Sequence, residues 1–337
     1  MIIVLGPGTT KDAIEYITKK IEDAGLKPLV SSGVERTVIN VIGDERILDK
    51  NQFEAIPCVE KIIPILKPYK FASREFKQEN TVIKVDGVEI GGNKIVIIAG
   101  PCSVEGKEQI IEIAKAVKEK GAGMLRGGAF KPRTSPYAFQ GLEEEGLKHL
   151  KEAKKEIGLP IVSELMDTKD IELLLEYVDV IQIGARNMQN FSLLKEIGKI
   201  NKPILLKRGM SATINEFLMA AEYILAGGNQ QIILCERGIR TFIDHSRNTL
   251  DISGIAVLKE LTHLPVISDP SHAGGKAKLV TPLALASIAV GCDGLLVEVH
   301  QDPERAFSDG EQSLNLDAFG KLMDEAGKVA EALGRTI

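Results

Sequence analysis

The chain has 337 residues, of which 44% are apolar and 26% charged, with a net charge of −5, an ordinary balance for a soluble globular enzyme. That length suffices for one large domain or two, each with a buried core. No excess of positive charge points to nucleic acid or an acidic membrane surface as the main partner, and no run of about 18 uninterrupted apolar residues is present to span a bilayer.

The opening stretch, MIIVLGPGTTKDAIEY, has neither a basic n-region nor a long apolar h-region, so a cytoplasmic location is expected. Residues 2–5, 27–32, 36–43 and 58–66 read as strands, and Lys11 to Ala24 and Glu45 to Glu54 carry helical spacing. That βαββαβ order predicts a ferredoxin-like domain over residues 1–66. The segment KPYKFASREFKQEN, residues 67–80, is polar and aperiodic and reads as a linker. Next come TVIKV and VEI, joined by Asp86-Gly87, a hairpin expected to plug the amino end of the larger domain.

From Lys94 onward, eight short β-branched runs alternate with amphipathic stretches: 95–100, 124–126, 160–164, 180–185, 203–207, 231–236, 265–270 and 294–299. Helices are expected at Lys107 to Lys120, Glu143 to Glu156, Thr213 to Ala226, Pro282 to Val290 and Leu316 to Leu333. Eight such units predict a (β/α)₈ TIM barrel over residues 81–337, since an open doubly wound sheet has fewer strands.

Barrel enzymes work at the carboxyl ends of their strands. There the runs end in or near Cys102, Arg126, Glu164, Arg186, Lys207, Arg237, Asp269, His272 and Glu298. The loop LRGGAFKPRTSPYAFQG, 125–141, adds Lys131 and Arg133 on a backbone opened by Gly127 and Gly128 and stiffened by Pro132 and Pro136, which suits close approach to a phosphate better than a merely solvated loop.

Two subsets separate by chemistry. Cys102, His272, Glu298 and Asp309 offer a thiolate, an imidazole and two carboxylates, a set that borderline dications accept. Spacing alone does not tie them together: a lone Cys after a strand is usually packing, His272 can belong to a helix cap and Asp309-Gly310 to a turn. Cys58, Cys235 and Cys292 form no C-x-x-C pair and read as packing residues, so any metal site is assembled from distant positions. The cations Arg126, Lys131, Arg133, Arg186, Lys207 and Arg237 would repel one another unless ligands supplied on the order of five negative charges, as two phosphorylated compounds with one extra carboxylate do. Glu164 reads either as an orienting carboxylate among them or as the ion-pair partner of a neighbouring Arg.

The motifs GPCSVE (100–105), LRGGAFKPRTSPYAFQG (125–141), QIGARNMQN (182–190), LLKRG (205–209), CERGIRTF (235–242), DPSHAGG (269–275), VEVH (297–300) and SDGEQSL (308–314) together resemble 3-deoxy-D-arabino-heptulosonate 7-phosphate (DAHP) synthases. The amino-terminal unit resembles the regulatory domain of one subgroup. The resemblance implies condensation of phosphoenolpyruvate with erythrose 4-phosphate and water, the opening of the shikimate route to aromatic amino acids. It implies one divalent metal (Mn²⁺, Fe²⁺, Zn²⁺, Co²⁺ or similar) on Cys102, His272, Glu298 and Asp309. Phosphoenolpyruvate would meet Arg126, Lys131, Glu164, Ala185, Arg186, Lys207 and Arg237. Erythrose 4-phosphate would meet Lys131, Pro132, Arg133, Thr134, Ser135 and Asp309. Lys131, Cys102 and His272 are the residues expected to take part in the chemistry, Lys131 as proton donor or acceptor. The resemblance also favours a homotetramer and inhibition by tyrosine or phenylalanine at the small domain. His300 lies two residues after Glu298 on the same strand face, so it could approach the metal as an outer partner of the ligands, and its role stays open.

Two rival enzymes define tests. Octulosonate 8-phosphate synthases take arabinose 5-phosphate and carry Ala and Asn before the Arg, where this chain has Lys131-Pro132-Arg133-Thr134. A class I aldolase would use Lys207 as a Schiff-base lysine.

Overall fold

The computed structural model describes the chain except residues 33–35, 65–66, 132–134 and 136. It divides into two compact units, Met1–Pro68 and Tyr69–Ile337.

The first unit runs β1 (Ile2–Leu5), α1 (Lys11–Asp23), β2 (Lys27–Ser32), β3 (Thr37–Ile42), α2 (Lys50–Glu54) and β4 (Val59–Ile63). Its strands form an antiparallel sheet in the order β2-β3-β1-β4, the ferredoxin-like arrangement expected. Alternation along the strands sets Ile39, Ile3 and Ile62 in one row, packed with Ile17, Ile21 and Phe53 from the helices. The second helix is shorter than the 45–54 expected. Glu45–Ile47 closes as a 3-10 turn, and the α-helix starts only after Asp49, whose carboxylate accepts the Asn51 N–H at 3.0 Å.

In the second unit the hairpin β5 (Ile83–Val85) and β6 (Val88–Ile90) turns at Asp86 and Gly87, both at positive φ (45° and 85°), as a tight two-residue turn requires. The barrel strands are β7 (Val96–Gly100), β8 (Met124–Arg126), β9 (Ile161–Leu165), β10 (Val180–Ile183), β11 (Ile204–Lys207), β12 (Ile232–Glu236), β13 (Val266–Ser268) and β14 (Gly294–Glu298). Each pairs in parallel with the next, and β14 closes on β7. The helices are α3 (Lys107–Glu119), α4 (Glu143–Ile157), α5 (Ile171–Tyr177), α6 (Phe191–Ile197), α7 (Ile214–Ala226), α8 (Ile252–Leu261), α9 (Pro270–Gly274), α10 (Ala277–Ala289) and α11 (Leu316–Ala332).

Both faces of each strand are buried, which is why the runs read as continuously apolar. Outward residues such as Ile97, Leu125, Ile181 and Leu206 pack with the helices, while Val96, Ile98, Met124, Val162, Val180, Leu205, Ile233, Ile267 and Leu296 fill the interior. Ile83, Val85 and Ile90 of the hairpin join that interior cluster, so the hairpin is the plug expected.

Two features differ from the sequence reading. Residues 69–80 are not a free linker: the Glu222 carboxylate on α7 accepts the backbone N–H groups of Lys70, Phe71 and Ala72, each at 2.9 Å, and Arg74 donates to the carbonyls of Lys259 and Thr262. The segment is polar because it binds the barrel through hydrogen bonds. Helix α10 begins at Ala277, so Pro282 lies inside it. Pro282 is exposed, where water can satisfy the carbonyl its missing N–H leaves unpaired.

Candidate active site

The strand ends gather the expected residues. Arg126, Lys207 and Glu298 close β8, β11 and β14; Cys102 follows β7, Arg237 follows β12, and His272 lies on α9 after β13. A cavity of about 210 Å³ opens there, lined by Arg126, Lys131, Glu164, Ala185, Arg186, Lys207, Arg237, His272 and Asp309 of the expected set. Ser135 is exposed and outside that lining, its hydroxyl accepting the Tyr137 N–H at 3.3 Å. Pro132, Arg133 and Thr134 fall outside the described residues.

Cys102, Glu298 and Asp309 each present a ligand atom within 4.8 Å of the others. His272, the fourth residue of the expected set, is not part of that convergent group: it lies beside it, its Nε2 3.5 Å from Glu298 Oε1. The Cys102 Sγ lies 3.1 Å from Asp309 Oδ2, and Lys131 Nζ donates to that sulfur and to the Cys102 carbonyl, both at 2.9 Å. Gly128 permits this approach, since a Cβ there would stand 2.7 Å from the Cys102 carbonyl and 3.0 Å from the Lys131 chain. Glu298 is bound by Arg126 on one oxygen and by Gln312 Nε2, at 2.6 Å, on the other. Burial raises the Glu298 pKa, but the positive charge of His272, Arg126 and Lys131 outweighs it and brings the value down to about 2. Burial, reinforced by Glu298, pushes the Cys102 thiol up to about 12, so only a strong cation would hold it as thiolate.

The cations divide into paired and unpaired. Lys207 donates to Asp269 Oδ2 at 2.5 Å, and that oxygen lies 2.8 Å from His272 Nδ1. Arg237, 5% exposed, reaches among the described residues only the Gly238 carbonyl, at 3.4 Å. Burial lowers its pKa, and the nearby Asp269 charge only partly offsets this. Among the described residues neither Arg237 nor the exposed Arg186 has an ion pair. Arg240, which lines the same cavity, has no ion pair among the described residues either, and three guanidinium groups without carboxylates at the mouth of a barrel form a receptor for an anion.

Among the described residues Glu164 is held by the Gln182 amide at 3.1 Å and has no Arg partner, an arrangement that suits an orienting carboxylate. Its position depends on Gly184, where a Cβ would fall 2.0 Å from Glu164 Oε1.

Sequence reasoning missed several lining residues. Arg247 donates to Asp309 Oδ1 (3.1 Å) and Gln312 Oε1 (2.8 Å), and Gln182, Arg240 and Asn248 also face the cavity. Arg240 and Gln312 lie inside motifs already singled out, CERGIRTF and SDGEQSL, and that was the available signal.

Comparison with known proteins agrees with this geometry. Residues 75–333 match the DAHP synthetase I family, and residues 1–67 match the DAHP synthase ferredoxin-like domain. A phospho-2-dehydro-3-deoxyheptonate aldolase of Thermotoga maritima is 53% identical over 334 residues, 99% of each chain. A crystal structure of a phospho-2-dehydro-3-deoxyheptonate aldolase (DAHP synthase) from that organism superposes with a TM-score of 0.97 at 52% identity, covering 99% of this chain and 98% of that one. A 2-dehydro-3-deoxyphosphooctonate aldolase of Syntrophotalea carbinolica is 35% identical over 262 residues, 72% of this chain and 94% of its own.

Proposed function

This chain belongs to the DAHP synthetase I family, and from that premise we propose that its barrel mouth condenses phosphoenolpyruvate with erythrose 4-phosphate and water, giving 3-deoxy-D-arabino-heptulosonate 7-phosphate and phosphate. The observation that carries the reading at this site is the group of guanidinium side chains without acidic partners among the described residues, Arg186 and Arg237 with Arg240 close by, beside the thiol and carboxylate cluster.

Arg186, Arg237 and Lys207 bind the phosphate and carboxylate of phosphoenolpyruvate, with Arg126 and Lys131 deeper in the cavity and Ala185 against the ligand. Bidentate Arg contacts fix its orientation, so that C3 faces the aldehyde. The loop carrying Lys131, Pro132, Arg133, Thr134 and Ser135, with Asp309, receives erythrose 4-phosphate. Cys102, His272, Glu298 and Asp309 fit a divalent metal, because a thiol and ionised carboxylates converge on one buried corner with an imidazole beside them. Such an ion, when bound, supplies Lewis-acid polarisation of the aldehyde. As C3 attacks, positive charge develops at C2, and Glu164, aligned by Gln182, orients the water that adds there. The hemiketal phosphate then collapses with C–O cleavage, with Lys131 Nζ placed to give or take the proton.

The deciding assay offers both aldehydes to purified full-length protein. Turnover of erythrose 4-phosphate is expected, and preference for arabinose 5-phosphate would defeat the reading. The Schiff-base alternative is disfavoured because the Lys207 amine is buried in an ion pair with Asp269, and borohydride is expected to trap no adduct.

Residues 1–66 form the regulatory unit in this reading, binding tyrosine or phenylalanine, and the chain works as a cytoplasmic homotetramer. Family resemblance supports these points, and among the described residues no helix is long and apolar enough to cross a membrane. Deleting residues 1–68 is expected to abolish inhibition while activity persists, and light scattering reads the assembly.

A further inference from the structure

Glu105 and His300 do not line the cavity, yet they join the two loops that deliver Cys102 and Asp309. We propose that they form a clasp that sets Asp309 against Cys102, making both positioning residues. This role rests on the metal-site reading above.

His300 is 3% exposed, and the Asp302 N–H donates to its Nδ1 at 3.0 Å. The ring proton therefore sits on Nε2, which faces Glu105 Oε2 at 3.4 Å. The other Glu105 oxygen accepts the backbone N–H of Phe307 at 2.8 Å. Glu105 stands three residues after Cys102, and Phe307 two before Asp309. One carboxylate thus spans the loop after β7 and the loop after β14.

The second loop needs such a tie. Its base is zipped by His300 N–H to the Leu314 carbonyl and Leu314 N–H to the Glu298 carbonyl, both at 2.9 Å. Its tip is wound tightly: Asp309 sits at φ 53°, and a Cβ on Gly310 would stand 2.1 Å from the Pro303 carbonyl. Between base and tip, the described backbone N–H groups of Ala306 and Phe307 reach only the Pro303 carbonyl, at 3.4 Å, and Glu105. Glu105 is accordingly the firm anchor just before Ser308 and Asp309. Those two then meet the Cys102 sulfur, at 3.2 and 3.1 Å. Outer partners that orient metal ligands carry about 10- to 100-fold in metal affinity or activity.

The test uses metal-stripped full-length protein titrated with Co²⁺, read by the thiolate-to-cobalt absorption band, alongside steady-state kinetics. The variants are Glu105→Ala, His300→Ala, Glu105→Gln and Phe307→Pro, with Phe307→Ala as control. Phe307 is largely exposed, its ring meeting Phe139 edge-on at 5.3 Å, a contact that Phe307→Ala and Phe307→Pro both lose; proline alone also removes the N–H that Glu105 holds, and Ala306 at φ −59° and ψ 133° already has the conformation that precedes proline. The Co²⁺ dissociation constant is expected to rise about tenfold in Glu105→Ala, His300→Ala and Phe307→Pro. The KM for erythrose 4-phosphate should rise with it, while Phe307→Ala stays near wild type. Glu105→Gln keeps an acceptor for Phe307 and recovers part of the loss. Wild-type Co²⁺ affinity in Glu105→Ala and Phe307→Pro, both folded by circular dichroism, would overturn the clasp. A wild-type protein that gives no cobalt band would instead overturn the metal reading, and the clasp with it, before any variant is compared.

Discussion

The two ends of the barrel are made by the same eight strands and are similarly dry, but they are filled with opposite materials. At the amino end the hairpin lays Ile83, Val85 and Ile90 onto the interior apolar layer. At the carboxyl end Arg126, Lys207, Arg237, Asp269 and Glu298 are buried instead, none more than 5% exposed. Apolar burial stabilises the fold directly, at about 25 cal/mol per Å². Buried charge does not, because desolvation offsets most of the attraction between partners. One end therefore holds the barrel together, and the other is kept in a costly state that makes sense only with ligands present. Among the described charges, Arg237 shows this most clearly, having no acid of its own.

The comparison can be broken at either end. The largest effect is expected from metal removal: chelation should abolish condensation, and Mn²⁺ or Co²⁺ should restore it, with metal content measured alongside rate. Undiminished turnover by metal-free protein would remove the chemistry assigned to the thiol and carboxylate corner. Next is Arg237→Met. By analogy with the loss of an oxyanion-hole donor, kcat/KM should fall by about 3 kcal/mol of transition-state stabilisation. Unliganded protein should be as stable as wild type or more so, since a buried cation without an acid is exchanged for an apolar chain. A large drop in Tm would mean the carboxyl end is built for stability after all.

The opposite variant, Ile90→Ala, should cost about 2–3 kcal/mol of stability in the barrel unit and leave KM unchanged. A raised KM for phosphoenolpyruvate would show that the plug reaches the site. A smaller effect is expected from Gly184→Ala. The new Cβ would press on Glu164 Oε1 and displace it from Gln182, a loss of about 1 kcal/mol that kcat should register while Tm barely moves.

The same contrast explains what the sequence made legible. Barrel strands are buried on both faces and the hairpin turn needs positive φ, so periodicity and Asp86-Gly87 revealed them. Cys102, Arg126, Lys207 and Glu298 were found because they sit at or just past strand ends. Arg247 was not, because it comes from the long loop between β12 and α8, where no period marks which side chains turn inward. Gln312 was passed over for another reason: it lies within SDGEQSL, but it acts through Glu298 and Arg247, and nothing in that motif marks an amide that completes a hydrogen-bond ring. The polar stretch 69–80 read as linker because its partner, Glu222, lies about 150 residues away.

That stretch also supplies the mildest test, at a site belonging to neither end. His263 is 3% exposed; its Nε2 donates to the Phe71 carbonyl and its Nδ1 lies against the Thr81 hydroxyl, both at 2.8 Å. Lys77 Nζ donates to that hydroxyl at 3.0 Å, which directs the Thr81 proton to Nδ1 and keeps the imidazole neutral. Burial lowers the His263 pKa most; the hydrogen bond to the Phe71 carbonyl raises it by less, and the charges of Lys77 and Arg74 add to the lowering against a smaller opposing effect of Glu222. The unfolded chain, near the ordinary value of about 6.5, then binds the proton first as pH falls. Stability is present above that value and is lost as pH drops through and below it. Denaturant unfolding between pH 7.5 and 5 should show this decline (about 7 to 5 being the window in which an ordinary His titrates), and His263→Gln should flatten it. An unchanged slope in the variant would place the titrating group elsewhere and leave the attachment of residues 69–81 to Glu222 and Arg74 alone.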